Sequence, residues 1–349
     1  GDLVWALVPD TGEDALGAHA TRPPEELYAP TLPAAVAAGK LYYTRELPYS
    51  FDVLVENFMD PAHIPFAHHG LQGVRSDGSP IPMSIAAFNE THVECAFEDV
   101  IRGKPRSGVV SFRRPCRYHF RTRRPDGTTR VNLEMYCAPV REGRSRVFFA
   151  YPTPKWIPAW LAHAGSNRFL NTDVWLHDAE IDLRRLATPQ DLDNLADQDR
   201  RRYATVATAD VGPNAWRNWW RDQGMARAPP NTFGPAHPGN LERIDRRADL
   251  VDPWRWHSRQ CAKCRQALTR AKKVRAASAV ALVAALALPR SAAVRTAGAI
   301  FAALVGYAAD RVVAIVRGPV DLADVADRSV AAAADDDKTS AVNARRSRV

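Results

Sequence analysis

The sequence lacks the features that mark several common protein classes. Five cysteines in 349 residues cannot build the disulfide framework of a small secreted scaffold, and no C-x-H pair occurs. No helix-turn-helix, zinc finger or aromatic-plus-basic RNA motif accompanies the net charge of +8, so the charge does not indicate a nucleic-acid partner. No uninterrupted apolar run reaches the ~20 residues of a simple membrane span. The 46% of hydrophobic residues nevertheless permit an ordinary globular core.

A conventional N-terminus is also missing. The chain begins with glycine and shows no signal or transit peptide. Residues 1–9 have the pattern of a last strand, and the Pro-rich residues 20–36 indicate a linker. We therefore expect a partial chain, and we draw no conclusion about its compartment from the absent leader.

The middle of the chain predicts helices on either side of a sheet. Apolar residues recur with helical spacing from Phe51, whereas residues 84–151 alternate with period two and contain turn pairs at Asp126-Gly127 and Glu142-Gly143. Consecutive strands without intervening helices favour an antiparallel sheet and an α+β fold. Residues 166–186 predict a helix capped by Ser166 or Asn167. The tryptophan-rich residues 209–224 predict an aromatic core.

Charge and apolar residues are arranged differently near the C-terminus. Eight Lys and Arg residues lie between Arg255 and Arg275, directly before two apolar runs of 14 residues at 276–289 and 296–309. Each run alone fits a buried core helix, but the pair after a basic segment predicts a helical hairpin in a membrane.

Two histidines five residues apart, His63 and His68, form the densest chemical motif. On a regular helix this spacing turns the side chains roughly 140° apart, so they converge only if the helix breaks between them. Pro61 disfavours helix at Asp60, and Pro65 is the expected breaking point between the two histidines. Neutral imidazoles suit iron, zinc, copper and nickel. Two histidines plus one carboxylate would leave positions open for dioxygen and substrate. By spacing alone, Asp173 is one candidate carboxylate among many.

The residues Asn57, Asp60, His63 and His68 stand in the pattern N-x-x-D-x-x-H-x-x-x-x-H. This pattern resembles the iron motif of Rieske-type non-haem iron oxygenases. The longer string ENFMDPAHIPFAHHG is similar to the branch that holds pheophorbide a oxygenase, chlorophyllide a oxygenase, the protochlorophyllide-oxygenase-like proteins and Tic55. The resemblance extends over residues 45–320.

The resemblance assigns roles to individual residues. The string NTDVWLHDAE resembles the family helix that supplies a carboxylate, which makes Asp173 the third ligand of a mononuclear Fe(II) beside His63 and His68. It makes Asp60 the acid that links this iron to the Rieske cluster of the next subunit, and Asn57 a polar residue near the iron.

The resemblance also implies a fold, partners and a location. We expect a helix-grip (START-like) antiparallel sheet, a homotrimer, and oxidation of a chlorophyll-type tetrapyrrole by dioxygen with electrons from ferredoxin. The location would be a plastid membrane, envelope or thylakoid. The 2Fe-2S cluster needs C-x-H and C-x-x-H motifs. Because only Cys116-x-x-His119 is present, we interpret those two residues as part of a strand and expect the Rieske domain to be missing from this chain.

A second motif narrows the branch. Cys261 and Cys264 form a CxxC before the apolar hairpin, as in pheophorbide a oxygenase, the protochlorophyllide-oxygenase-like proteins and Tic55. The cationic neighbours Arg259, Lys263 and Arg265 should lower a thiol pKa, so we expect a redox-active pair, with thioredoxin as a possible partner. A zinc site is not expected there, because a closed site needs four ligands and no second cysteine pair is near.

The expected layout has five parts. Residues 1–22 are the end of a Rieske domain with its linker, 23–228 the iron domain, 229–275 a loop with the CxxC, 276–316 the membrane hairpin, and 317–349 a disordered tail. Two alternatives remain open. One is a Tic55-like redox-regulated membrane protein whose CxxC carries the function, and the other is a zinc hydrolase.

Overall fold

The computed structural model describes residues 39–114, 116–123, 126–185, 207–224, 238–287, 289 and 291–318. It consists of two units, one ending at Val251 and the other beginning at Asp252. The upstream remnant at 1–22, the linker at 20–36 and the tail beyond 318 lie outside the described residues.

The first unit contains a seven-stranded, fully antiparallel sheet in the order β1-β7-β6-β5-β4-β3-β2. Its strands are β1 (Leu41–Leu47), β2 (Met83–Phe88), β3 (His92–Ile101), β4 (Lys104–Arg113), β5 (Arg117–Arg123), β6 (Thr129–Arg141) and β7 (Arg144–Tyr151). The last strand returns to pair with the first, so the sheet brings the start of the domain beside the end of its strand-rich region.

The period-two pattern of the sequence explains the sheet. Alternate residues of most strands are apolar and buried, as Val110 and Phe112 are in β4. The predicted turns at Asp126-Gly127 and Glu142-Gly143 join β5 to β6 and β6 to β7, and both glycines have positive φ. The predicted antiparallel sheet is confirmed.

Helices cover the apolar face of this sheet. They are α1 (Phe51–Phe58), α2 (Ile64–Ala67), α3 (Ala159–Leu170), α4 (Trp175–Arg185), α5 (Val211–Trp219) and α6 (Arg247–Leu250). Seven of the eight residues of α1 are buried. Trp216 and Trp219 of α5 are almost completely buried, and Trp216 packs edge-on against Phe112. The aromatic core and the α+β helix-grip fold are therefore as predicted.

The helix predicted at 166–186 is wrong in its bounds. The chain forms α3, then a 3₁₀ turn at Asn171–Asp173, then α4. Pro158 is the N-cap of α3, so Ser166 and Asn167 lie inside the helix and do not cap it. The side chain of Asn167 instead accepts a hydrogen bond from Tyr43 (2.7 Å), which ties α3 to β1.

The second unit contains two long helices, α7 (Ala262–Ala287) and α8 (Ala292–Arg317). They pack antiparallel, because Arg275 pairs with Asp310 at 3.0 Å and Gly306 approaches Ser278. Small residues at such contacts let helix backbones come close together. The two apolar runs thus form the second half of α7 and the middle of α8.

Exposed apolar side chains mark the surface of this hairpin, among them Val280, Phe301, Leu304 and Tyr307. Within the described residues, α8 alone is long and apolar enough to cross a membrane. The helix α7 is basic over its first half, so only its last 12 residues are apolar.

Candidate metal centre

The segment that carries the two histidines begins where α1 ends. Asp60 follows α1 and caps a 3₁₀ turn, Pro61–His63, by accepting a hydrogen bond from the amide of Ala62 (2.8 Å). The expectation that Pro65 breaks the helix is wrong. The break comes at Asp60, and Pro65 lies in the first turn of α2, where its missing N–H is not needed.

The ring of His63 is oriented by the main chain. Its Nδ1 faces the carbonyl oxygen of Asp60. A carbonyl can only accept a hydrogen bond, so Nδ1 carries the proton and Nε2 presents a lone pair. The break at Asp60 thus sets both the position and the tautomer of His63.

The ring of His68 is oriented by Thr172. Its Nδ1 lies 2.7 Å from the hydroxyl of Thr172, and that hydroxyl donates its single proton to the carbonyl oxygen of Phe169 (2.6 Å). The hydroxyl must therefore accept from His68, so Nδ1 carries the proton and Nε2 is again a lone pair. The ring also stacks on Phe169, with 4.0 Å between ring centroids.

Asp173 supplies the carboxylate. It lies at the end of the 3₁₀ turn between α3 and α4 and is completely buried, and no residue in the described part of the chain donates a well-formed hydrogen bond to either carboxylate oxygen. Burial raises its pKa to about 6, and nearby His63, Asn57 and Arg45 partly counteract that rise. A buried carboxylate without a donor is costly, so a cation is the natural partner for this group.

These three groups converge on one point. His63 Nε2 and His68 Nε2 lie 3.2 Å apart, and His68 Nε2 lies 3.6 Å from Asp173 Oδ2. All three ligand atoms fall within 4.8 Å of one another. Metal–nitrogen bonds are about 2.1 Å long, so two adjacent nitrogens on one ion lie about 3 Å apart. The fold thus brings together lone pairs that cannot hydrogen-bond to one another, and a metal ion fits among them.

The electrostatics agree with this interpretation. Burial and, to a smaller extent, the neighbouring His63 together lower the pKa of His68 to about 3. His68 therefore stays neutral at physiological pH, and a neutral imidazole is the form that binds a metal.

Asp60 and Asn57 lie beside this centre. Burial, together with Asp210, raises the pKa of Asp60 to about 6, against the lowering effect of its hydrogen bond from Ala62. The carboxylate of Asp60 is not among the converging ligand atoms. Asn57 is buried near Asp173, and its side chain lowers the pKa of that carboxyl.

Other histidines and cysteines have different partners. His69 accepts from the amide of Arg75 (3.0 Å), and His177 bonds the carbonyl of Pro48 and the amide of Ile244. His119 lies in β5 beside Glu134 at 3.0 Å, and Cys116 is buried just before that strand. This fits the interpretation of Cys116 and His119 as parts of the sheet region.

Sequence reasoning missed a buried network that positions the carboxylate. Arg45 of β1 is 1% exposed and donates to the carbonyl of Asn167 (2.8 Å) and to the side chain of Asn171 (2.6 Å). These bonds fix the end of α3, two residues before Asp173. The alternation of β1 could have revealed the strand, but an arginine at an inward position obscured it. Thr172 was missed as well, although it stands next to Asp173.

A cavity of about 400 Å³ opens at the two histidines. Its walls are mostly apolar and aromatic, and none of the lining residues that the structure describes is a lysine, arginine, aspartate or glutamate. The wall residues include Phe58, Leu71, Phe120, Leu133, Met135, Phe149, Tyr151 and Phe169. Its size lies in the range of small-molecule pockets. Three hydroxyls line the wall: Tyr118 donates to the Phe58 carbonyl, and Ser166 bonds the hydroxyl of Tyr151.

The CxxC pair lies in the second unit, at the start of α7. Neither cysteine is in a disulfide; Cys264 is buried and Cys261 is partly exposed. The expected lowering of the thiol pKa is wrong for Cys264. A hydrogen bond with Cys261 and burial together hold the pKa of Cys264 well above its usual value.

Two histidines and one carboxylate are the donor set of mononuclear non-haem iron oxygenases, and this domain presents such a set beside an apolar cavity. Comparison with known proteins agrees. The family model for pheophorbide a oxygenase matches residues 112–187. The chain is 27% identical to protochlorophyllide-dependent translocon component 52 of Arabidopsis thaliana, over 65% of this chain and 47% of that protein.

Two further relatives have similar sequence identities. Flavonoid 8-hydroxylase 2 of Ocimum basilicum is 26% identical over 65% of this chain and 45% of its own length. Pheophorbide a oxygenase of Oryza sativa subsp. japonica is 25% identical over 76% of this chain and 54% of its own length. The chain thus spans about half the length of these relatives. A structure of dicamba monooxygenase matches 54% of this chain and 61% of that chain at 13% identity, with a TM-score of 0.32.

The chain is similar to the branch of Rieske-type oxygenases that contains pheophorbide a oxygenase, protochlorophyllide-dependent translocon component 52 and Tic55. This family is one of non-haem iron oxygenases.

Proposed function

We propose that this chain is the iron-binding part of an oxygenase that oxidises a chlorophyll-type tetrapyrrole, as pheophorbide a oxygenase does. The observation that carries the proposal is the convergence of His63 Nε2, His68 Nε2 and Asp173 Oδ2 at the mouth of an apolar cavity. Ferrous iron in such a donor set supplies dioxygen activation and leaves positions for oxygen and substrate.

The chain's own residues contribute geometry and exclusion of water. Asp60 and Thr172 hold the two imidazoles as Nδ1–H tautomers, so that both Nε2 lone pairs face the ion. The carboxylate of Asp173 balances part of the metal charge inside a buried site. The aromatic wall residues, such as Phe120 and Phe169, offer flat apolar surfaces to a planar ring system.

Several parts of the proposal come from the relatives. Their names place them in chloroplasts, which supports a plastid location for this chain. Electrons would come from ferredoxin through a 2Fe-2S cluster in a Rieske domain, and Asp60 would pass them between the subunits of a homotrimer. The hairpin of α7 and α8 would hold the protein at the membrane through its exposed apolar side chains.

Turnover of candidate substrates tests the proposal. The full-length protein with ferredoxin and its reductase should consume oxygen with pheophorbide, chlorophyllide or protochlorophyllide. A flavone should be inactive. Turnover of the flavone alone would overturn the tetrapyrrole assignment but not the oxygenase chemistry, and stoichiometric zinc without iron would favour a hydrolase.

The cavity itself can be tested by obstruction. Leu133→Trp fills the cavity from β6 and should weaken tetrapyrrole binding at least tenfold, measured by the absorption change of the pigment, while iron content stays unchanged. Val140→Trp is the matched control, because Val140 lies on the same strand but is exposed and outside the cavity. Equal effects of the two variants would contradict the assignment of the cavity.

A second candidate function is a Tic55-like thiol switch at Cys261 and Cys264. The observation in its favour is that neither cysteine is in a disulfide and that their sulfur atoms lie within 4.8 Å of one another. A redox titration with thiol labelling tests it. A midpoint between about −350 and −200 mV, the range of thioredoxin and glutathione, would support the switch, and unchanged labelling across that range would exclude it.

A further inference from the structure

The second unit contains a group of donor atoms that the oxygenase chemistry does not use. His257, Cys261 and Cys264 follow the spacing H-x-x-x-C-x-x-C, in which the positions i, i+4 and i+7 share one face of a helix. Their ligand atoms lie within 4.8 Å of one another, and His257 Nε2 lies 3.4 Å from the sulfur of Cys264.

The local backbone brings these residues together. His257 lies in a π-helical turn, Trp254–Ser258, which is a form that often marks functional sites. The amide of Cys261 then bonds the carbonyl of His257 (3.2 Å), so the chain turns directly into α7, where Cys264 lies in the first helical turn. His257 and Cys264 are buried, and Cys261 is partly exposed.

We propose that His257, Cys261 and Cys264 form a second metal site that binds Zn²⁺ when the thiols are reduced. Two thiolates and one imidazole are a known zinc donor set, in which the fourth position is open to water or another donor. Zinc was not expected here from the sequence, because no second cysteine pair is near, but His257 supplies a third ligand. Two thiolates neutralise the charge of Zn²⁺, which makes burial of the complex favourable.

The chemistry of this site differs from that of the oxygenase centre. The oxygenase centre offers two nitrogens and one oxygen, whereas this site offers one nitrogen and two sulfurs. Soft thiolates select zinc over ferrous iron. Zinc binding by this cluster therefore does not depend on the proposed oxygenase function.

The test uses the full chain, purified under a phosphine reductant and titrated with Zn²⁺ and, in a separate metal-free sample, with Co²⁺. The expected result is one zinc per chain in addition to iron, and intense thiolate-to-Co²⁺ charge-transfer absorption. His257→Ala and Cys264→Ser should each weaken zinc binding at least about a hundredfold, more than the 10–100-fold lost with a supporting partner. Gln260→Ala, an exposed neighbour, should bind as the unchanged chain does.

Two further measurements keep the outcome decisive if a buried variant fails to fold. Zinc should slow alkylation of the partly exposed Cys261 at least tenfold in the unchanged chain. His63→Ala should lose iron and keep zinc, which separates this site from the oxygenase centre. Absence of zinc in the reduced chain, or zinc binding that His257→Ala leaves intact, would overturn the proposal.

Discussion

The hydroxyl of Thr172 offers the sharpest test of how the oxygenase centre is built. Thr172→Val keeps the shape of the side chain but removes the only acceptor of the His68 Nδ1 proton. The ring then loses the contact that fixes its tautomer and orientation. Loss of such a partner lowers metal affinity by roughly 10–100-fold, or about 1.4–2.7 kcal/mol. We expect that loss for Fe²⁺, measured anaerobically by competition with a chelating dye.

Two control variants make this prediction specific. Thr172→Ser retains the hydroxyl and should recover most of the affinity. Thr208→Val removes a similar bond, from the hydroxyl to the carbonyl of Ile81 (2.8 Å), away from the centre. It should leave the affinity unchanged. Wild-type affinity in Thr172→Val, or an equal loss in Thr172→Ser, would refute the role of this hydroxyl.

Four further predictions concern the same fold and site. Gly212→Ala places a Cβ 2.1 Å from the Met59 carbonyl, so it should destabilise the fold by about 1–3 kcal/mol in urea unfolding, whereas Gly165→Ala meets nothing within 4 Å and should not. Burial raises the pKa of Asp173 to about 6, so its proton competes with the metal below that pH. Metal affinity should therefore fall about fivefold from pH 6 to pH 5 in a metal titration, and a flat profile would contradict this. Asp60→Asn should keep iron but lose turnover in the full-length protein, and loss of iron would make Asp60 a ligand. Alkaline carbonate should leave the protein in the membrane pellet, and release into the supernatant would exclude an integral hairpin.

Much of the fold could be predicted because local patterns and packing agree. The period-two alternation of residues 84–151 matches a sheet that buries one face, and the helical spacing after Phe51 matches a helix that the sheet covers. The strand β1 was not predicted, because Arg45 occupies an inward position that a pattern of apolar residues does not allow. Its guanidinium donates a hydrogen bond to the carbonyl oxygen of Asn167 in α3, more than 120 residues away.

The residue types of the candidate site could be predicted, but the contacts that orient these residues could not. The motif drew attention to His63 and His68, and the resemblance added Asp173. The helix break between the histidines was expected at Pro65. That residue instead begins α2, because a proline can begin a helix as well as end one. The tautomers depend on the Asp60 carbonyl and on the Thr172 hydroxyl, and contacts of this kind become visible only in three dimensions.

The central claim is that His63, His68 and Asp173 bind one ferrous ion, and anaerobic iron analysis tests it most directly. The unchanged chain and His69→Ala should each hold about one iron, because His69 is exposed and bonds only a main-chain amide. His63→Ala, His68→Ala and Asp173→Ala should each hold almost none, with the fold intact by circular dichroism. Retention of iron in any of these three, or its loss in His69→Ala, would contradict the account.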